Sequence, residues 1–476
     1  MKSKSVIGIM IAVCTALILC FTVPAMAASD SAAGAASSNL GDHNYTYDRW
    51  ATPIHSYLIP NADGTLTRVE AIGQQVVVES YDAAHNLING FSIEGELPLF
   101  GGFYAGTTHN FLVFGQENPT EDDAVEVIRV VCYTKDWTRV GAASLFGANT
   151  TVPFDAGSLR FAECDGYLYI RTAHEMYASN DGVNHQANVM LNIRISDMTI
   201  TDSFTKVMNV GYGYVSHSFN QFLAIDGKDL LAVDHGDAHP RSVVLFKYNA
   251  PAGQDSFMQV AYKPVVGGYK YAYVDYVDVL PIAGATGAND TGVSLGGFEV
   301  SDTAYLIVGT TVSHEGDYDL FGQRNIFITV TDKDDFSQEG TVVRYLTEYS
   351  KDAGVILGNP HFVKVSTDCY AVLWTEQVNN VSTLRYCFVD GQGQLIGRVY
   401  TAAGMLSDCK PVVSGNKLVW YATNASSPAF FSIDLDAPEN VTHDHIYVYA
   451  YESYPSYYYN GALSSTCGVC GEEGPA

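Results

Sequence analysis

The sequence predicts an all-β chain, and within that class a β-propeller, on three observations. From about Arg49 onward, short runs alternate apolar and polar residues between Gly, Asn and Asp turns, as in Leu66 to Ile72 and then Gln75 to Tyr81. Period-two alternation of this kind is the pattern of half-buried strands. No long amphipathic helical pattern interrupts these runs. One unit also recurs: a strand, a polar turn, and a second strand often closed by glycine. It is clearest at Tyr81-Asp82-Ala-Ala-His-Asn86-Leu-Ile-Asn-Gly90, with weaker counterparts from Tyr133 to Gly141 around Asp136 and from Val389 to Gly397 around Asp390. Similar turns fall near Asp197, Asn249, Asp332 and Asp434, at a mean spacing of about sixty residues, which suits the four strands of one propeller blade. Seven blades are expected over residues 49–440. Six or eight are the alternatives, because the interval from Asn249 to Asp332 is long and holds a Gly/Ala/Asn loop at Gly284 to Asn289. A pair of β-sandwiches is the rival architecture.

The segments before the first strand have a different character. Lys2 and Lys4, the apolar stretch Val6 to Val23, and Ala25-Met26-Ala27 before Ala28 form the three parts of a secretory signal peptide, residues 1–27, so an exported, extracellular product is expected. Cys14 and Cys20 follow Val13 and Leu19 rather than the small residue a lipoprotein signal requires. Beyond Val23 no run of apolar residues is long enough for a membrane span. Residues 28–48, rich at first in Ala, Ser and Gly, read as a flexible leader.

Composition narrows the partners. With 47% apolar residues, 32 Tyr and 22 Phe, the chain can fill a large core. Its net charge is −27, and loss of Lys2 and Lys4 makes it −29. An acidic excess of that size repels nucleic acid and anionic membrane, and is compatible with a neutral glycan or a bound cation. The acidic run Glu117 to Glu126 reads as a solvated loop; calcium is the alternative, although the run lacks EF-hand glycine spacing. A monomer is expected.

Cleavage of the signal would leave Cys132, Cys164, Cys369, Cys387, Cys409, Cys467 and Cys470, an odd number that forbids complete internal pairing. Cys369 and Cys387 fall on the two strands of a hairpin turning near Val378, and either face each other as a disulfide or stand as two buried thiols. The tail, residues 441–476, is Tyr-rich and ends in Cys467-Gly-Val-Cys470-Gly471, with His443 and His445 upstream. This knuckle resembles half of a zinc ribbon, and similar small modules occur in secreted bacterial surface proteins. Two thiolates and two imidazoles would satisfy tetrahedral zinc, provided that His443 and His445, two residues apart, lie on one strand face. A local or intermolecular disulfide and an unstructured end are the other readings of the tail.

Candidate functional residues concentrate between Arg171 and Arg241, which holds five of the thirteen histidines. The first patch contains Arg171, His174, Glu175, Tyr177 and His185, the second His217 and Asn220, and the third Asp234, His235, Asp237, His239 and Arg241. Loops at strand ends of a propeller gather over one face, so the patches could converge in one cleft. A hairpin turning at Asp226-Gly227 would bring His217 and His235 towards each other. Imidazoles beside Asp234 or Asp237 suit acid, base or metal-ligand roles, and Arg241 offers a planar fork for a carboxylate or sulfate. Tyr177 beside acids and amides suits a sugar ring.

His217, then Leu231-Ala-Val-Asp234-His235-Gly236 and Arg241-Ser242, resembles the pattern of arylsulfotransferase-type bacterial propellers over a short segment. His235 stands where that family more often has Asn. The resemblance implies sulfuryl transfer with His217 as nucleophile.

Three functional expectations follow. The first is a secreted or surface propeller that binds an extracellular glycan or surface polymer on the face carrying the 171–241 loops. The second is an exported lyase or sulfuryl transferase using His217, His235, His239 and Arg241. The third is a structural or adhesive surface module docked through its tail. An enzyme requires His217, His235 and Arg241 in one cleft, whereas a lectin-like binder requires exposed aromatic rings.

Overall fold

The structure, a computed structural model, describes residues 39–40 and 51–474 except 156, 208–209, 266–267, 315–317, 424–426 and 454–461. The expected signal peptide and most of the expected leader lie outside the described residues.

The chain is an all-β, seven-bladed propeller, each blade built on a four-stranded antiparallel meander. The blades occupy residues 56–94, 99–146, 160–204, 216–281, 293–345, 361–402 and 412–443 in chain order. Blade 3 carries an added strand, Thr150–Pro153, and blade 6 carries Ile356–Leu357. Blades 3 and 4 are joined into one sheet through the Ala187 to Ser216 pairing. Blade 4 also holds an inserted hairpin, Ala261–Val265 and Gly268–Ala272. That hairpin, together with the 284–289 loop, accounts for the long interval between Asn249 and Asp332.

All seven predicted turns fall at one structural position, the connection into the outermost strand of each blade. The reason is local. Asp82 Oδ1 accepts the Ala84 and Asn86 amides at 2.8 and 2.9 Å, Asp332 Oδ1 accepts that of Asp334 at 2.8 Å, and Asp390 Oδ1 accepts those of Gln392 and Gln394 at 2.9 and 2.8 Å. A carboxylate or amide that bonds the backbone two residues on replaces a missing peptide bond partner and fixes the turn.

Middle strands are buried on both faces because each blade packs between two neighbours. Ala304–Val312 is buried throughout, whereas the outer strand Leu395–Ala402 is mostly exposed. Apolar layers fill each junction, such as Val233, Val243 and Leu245 of blade 4 against Leu295, Ile307 and Phe327 of blade 5.

Blades 1 and 7 close the ring face to face, through Leu58, Leu66 and Tyr81 against Val419, Tyr421 and Phe430. Under this layer lies a polar seam. Buried Arg68 bonds Glu70 (Nε to Oε2, 3.0 Å) and Glu79 (Nη1 to Oε2, 2.5 Å). The Tyr421 hydroxyl donates across the junction to Glu70 at 3.0 Å. Asn39, within the expected leader, is buried here and exchanges bonds with Thr423. Asp408 accepts the His55 amide at 2.9 Å and the Ser56 hydroxyl. Burial raises the Asp408 carboxyl to about 7 against those bonds.

Of the two readings of Cys369 and Cys387, the free thiols hold, since Cys387 pairs in register with Val372 and not with Cys369, with Cys387 buried and Cys369 partly so. Val441–His443, at the start of the expected tail, forms the outer strand of blade 7.

Candidate functional site

Of the 171–241 residues, Arg171, Asn188 and Asp234 come together, and they bond one another inside the ring instead of lining a cleft. Arg171 and Asp234 are fully buried. Arg171 Nε donates to Asp234 Oδ1 at 3.1 Å, and Nη2 pairs with Oδ2. Arg171 Nη1 donates to the Tyr248 hydroxyl at 3.0 Å and Asn188 Nδ2 to Asp234 Oδ1 at 3.0 Å. Burial opposes the guanidinium's charge, but Asp234 and Tyr248 overcome it and hold the group above its ordinary pKa. A buried pair with this many satisfied donors is a structural tie between blades 3 and 4.

The histidines divide between interior and surface. Buried His174 shares a 2.6 Å bond between Nδ1 and the Thr150 hydroxyl, and burial pushes it down to about 3. His235 Nε2 lies 3.0 Å from the Thr291 hydroxyl. Burial first, then Arg324 and Arg241, push His235 down to about 3. Neither imidazole is poised for proton transfer near neutral pH. His185 is partly exposed and bonds Asp181 in its own turn at 2.9 Å, while His239 is exposed at a strand end. The predicted hairpin at Asp226-Gly227 forms, and its register sets Ser216 opposite His239 and Ser218 opposite Gly236. The His217 side chain lies outside the described residues.

The remaining predicted groups hold loops. Arg241, expected as an anion fork, donates Nε to Ala283 O at 2.9 Å, Nη1 to Ala288 O at 2.6 Å and Nη2 to Asp290 O at 2.7 Å. The planar fork therefore grips a loop of carbonyls in this structure. Asp237 is buried and gives its backbone carbonyl to Arg241 at 3.3 Å. Asn220 Nδ2 donates to Leu295 O at 3.0 Å, and Glu175 Oε1 accepts from Thr151 at 2.7 Å. The Tyr177 hydroxyl bridges Asn118 and Asp123 of the acidic loop.

A second cluster does assemble. The ligand atoms of His443, His445, Cys467 and Cys470 all lie within 4.8 Å of one another. His443 ends the outer strand of blade 7, and Cys467 ends the second strand of the tail hairpin, Tyr447–Ser453 with Ala462–Cys467. In extended chain residues i and i+2 point the same way. His443 and His445 thus share a side, while Asp444 points elsewhere and accepts the Phe430 amide at 2.9 Å. The knuckle turns at Gly471, whose φ of 76° suits glycine, and the Gly471 amide donates to Cys467 O at 2.9 Å.

Sulfur and nitrogen alternate closely. Cys467 Sγ lies 3.6 Å from His443 Nε2, and Cys470 Sγ lies 3.6 Å from His445 Nδ1. Burial pushes the Cys467 thiol up, but the Cys470 and Val469 amides and the two imidazoles outweigh it and bring it down to about 5. The rings are braced, His443 stacking on Phe431 and His445 on Tyr447, each at 5.6 Å between centroids. Two soft sulfurs and two imidazoles are the donor set of a structural zinc site, and these residues fit it.

A surface that the sequence reading passed over lies at the edge of blade 4. Tyr262 and Tyr271 are a directly opposed cross-strand pair in the inserted hairpin, with ring centroids 5.1 Å apart. They are 65% and 54% exposed, and Tyr276 on the adjoining outer strand is 48% exposed. Tyr273 stacks on Tyr212 at 4.5 Å. The opposite face of the hairpin carries Lys263 and Lys270, and Lys263 pairs with Asp275. The signal was legible: two alternating runs separated by Val-Gly read as a hairpin.

No family model matches the chain, and no curated protein matches it. Among solved structures, prolyl oligopeptidase B from Galerina marginata is similar at 9% identity and a TM-score of 0.46, over 88% of this chain and 56% of that one. The chain therefore spans little more than half the length of that protein. An alpha-L-arabinanase from Cellvibrio cellulosa complexed with arabinohexaose is 10% identical with a TM-score of 0.34, over 74% and 96% of the two chains. The polysaccharide lyase Uly1 is 12% identical with a TM-score of 0.42, over 79% and 88%. Superpositions this loose bear on no activity. Among the described residues no helix is long and apolar enough to cross a membrane.

Proposed function

We propose that this chain is a secreted, ligand-binding propeller whose partner is an extracellular glycan or surface polymer, taken on the tyrosine surface of blade 4. The observation that carries this reading is the exposed set Tyr262, Tyr271 and Tyr276, held on strands and not on a free loop. A tyrosine presents a flat apolar face for the C–H face of a sugar and a hydroxyl for its edge, and strand mounting lowers the ordering cost of binding. The net charge of −27 favours a neutral polymer over an anionic one. An enzymatic reading through His235 and Arg241 loses support, since both side chains serve internal partners.

Isothermal titration against neutral polysaccharides is the test, comparing the wild type with a Tyr262→Ala/Tyr271→Ala variant. Binding lost in the variant, with an unchanged melting temperature, is expected. Equal affinity of the two proteins for every polymer that binds would move the site elsewhere.

A further inference from the structure

We propose that His443, His445, Cys467 and Cys470 bind one zinc ion that clamps the tail hairpin to blade 7. The distances match the ion's own geometry. With Zn–S near 2.3 Å and Zn–N near 2.0–2.1 Å, the sulfur-to-nitrogen edge of a tetrahedron is about 3.6 Å. The two sulfur-to-nitrogen contacts are 3.6 Å each. All four ligand atoms lie within 4.8 Å of one another, wider than the edges of about 3.4–3.8 Å around a bound ion, so the remaining pairs close by a fraction of that distance when the ion binds.

Exported proteins commonly oxidise a C-x-x-C pair, so a Cys467–Cys470 disulfide is the competing chemistry. The placement of the imidazoles argues against it. A disulfide needs neither histidine, yet each sulfur has an imidazole nitrogen at ligand-pair distance. His445 also turns its other nitrogen, Nε2, towards Glu472 Oε2 at 3.5 Å. A carboxylate behind the far nitrogen is the usual outer partner of a metal-bound imidazole, where it fixes the ring and its tautomer.

The site is closed. Four protein ligands complete zinc's tetrahedron and leave no position for water or substrate, which makes it structural and not catalytic. Its two halves come from different sheets. Both histidines lie at or just beyond the outer strand of blade 7, and both cysteines lie at the end of the tail hairpin. A two-stranded hairpin is marginal alone. The described backbone bonds from the knuckle to the histidine segment include Gly468 N to Ile446 O at 2.9 Å, so an ion at this point would couple the hairpin to the ring.

The test is elemental analysis of the purified reduced chain after exposure to ZnCl2 and removal of excess, paired with cobalt substitution. About one zinc per chain, with the intense visible bands of tetrahedral Co²⁺ and a sulfur-to-cobalt charge-transfer band, is the expected result. In Cys467→Ser/Cys470→Ser zinc should fall at least tenfold, while His445→Cys, which keeps four ligands as three sulfurs and one imidazole, should retain it. Chelation should speed hydrogen exchange at residues 447–453 and 462–467 and leave blade 5 unchanged. The proposal is overturned if the reduced protein takes up no zinc, if the double serine variant keeps it, or if mass analysis after anaerobic purification shows a Cys467–Cys470 disulfide that resists reduction.

Discussion

Two histidine-bearing regions of this molecule look alike as composition and behave oppositely as structure. Between Arg171 and Arg241, histidines, acids and arginines are numerous, and most of their polar atoms bond within the ring. At the end of the chain two histidines and two cysteines are sparse, and all four converge. The difference lies in where each region sits relative to packed faces. A strand in the middle of a propeller is covered on both sides, so a polar side chain there must find a partner in the next blade or be left unsatisfied. Arg171, in the middle of Tyr167–Ala178, finds Asp234 of blade 4 in this way. His443 and Cys470 sit at strand ends and in a turn, where short side chains reach a common point without neighbouring blades to claim them. Richness in chemical groups is therefore a poor guide to a site, and the position of those groups relative to the layers decides.

The largest expected effect comes from breaking the interior region. Arg171→Ala leaves the Asp234 carboxylate buried without its cation and should cost about 3–5 kcal/mol in urea unfolding. The Arg171→Met/Asp234→Leu double variant should recover much of that loss. A cost under about 1 kcal/mol for Arg171→Ala would mean that the pair is not the tie described here.

Acid should act on the same region next. His174 and His235 are each pushed down to about 3 from 6.5. The unfolded chain binds those protons first, so their contribution is present above pH 6.5 and is lost as pH falls towards 3. The urea midpoint should drop over that window, and less steeply in a His174→Gln/His235→Gln variant. Asp408 has the opposite sign, since its folded value of about 7 exceeds the ordinary 3.8. Its contribution is full below about pH 4 and is lost as pH rises through 7. Asp408→Asn should therefore gain stability relative to wild type between pH 4 and 8, measured as the difference in midpoint between the two proteins.

The smallest effect on the ring should come from the tail. Cys467→Ser/Cys470→Ser should shift the main melting transition by no more than about 2 °C, since the blades carry their own cores. Global unfolding on loss of those cysteines would erase the contrast between the two regions.

Much of this architecture can be read without coordinates. Asp82, Asp332 and Asp390 announce turns because their bonds reach only two to four residues along the chain. Cys467-x-x-Cys470 is legible for the same reason, and His443 with His445 follows from strand alternation. The pairing of Arg171 with Asp234 is not, because the two are 63 positions apart and only the packing of blade 3 on blade 4 makes them neighbours. His235 illustrates the same limit. Its sequence context, between Asp234 and Gly236, resembles a loop site, but the strand Asp229–His239 carries it into a buried face against Thr291. The tyrosine hairpin was readable in its alternation, yet its exposure depends on being an insertion outside the blade.

The closure between blades 1 and 7 carries a consequence for how the ring is made. Each blade is one uninterrupted stretch of sequence, and the terminal blades meet through side chains such as Tyr421 and Glu70, with no strand shared between them among the described residues. The molecule is thus an arc whose two ends clasp, and the order of its blades along the gene is a matter of convention. A circular permutant that links the old ends across this clasp and opens the chain between blades 4 and 5 would keep every strand pairing, and would turn a side-chain junction into a covalent one.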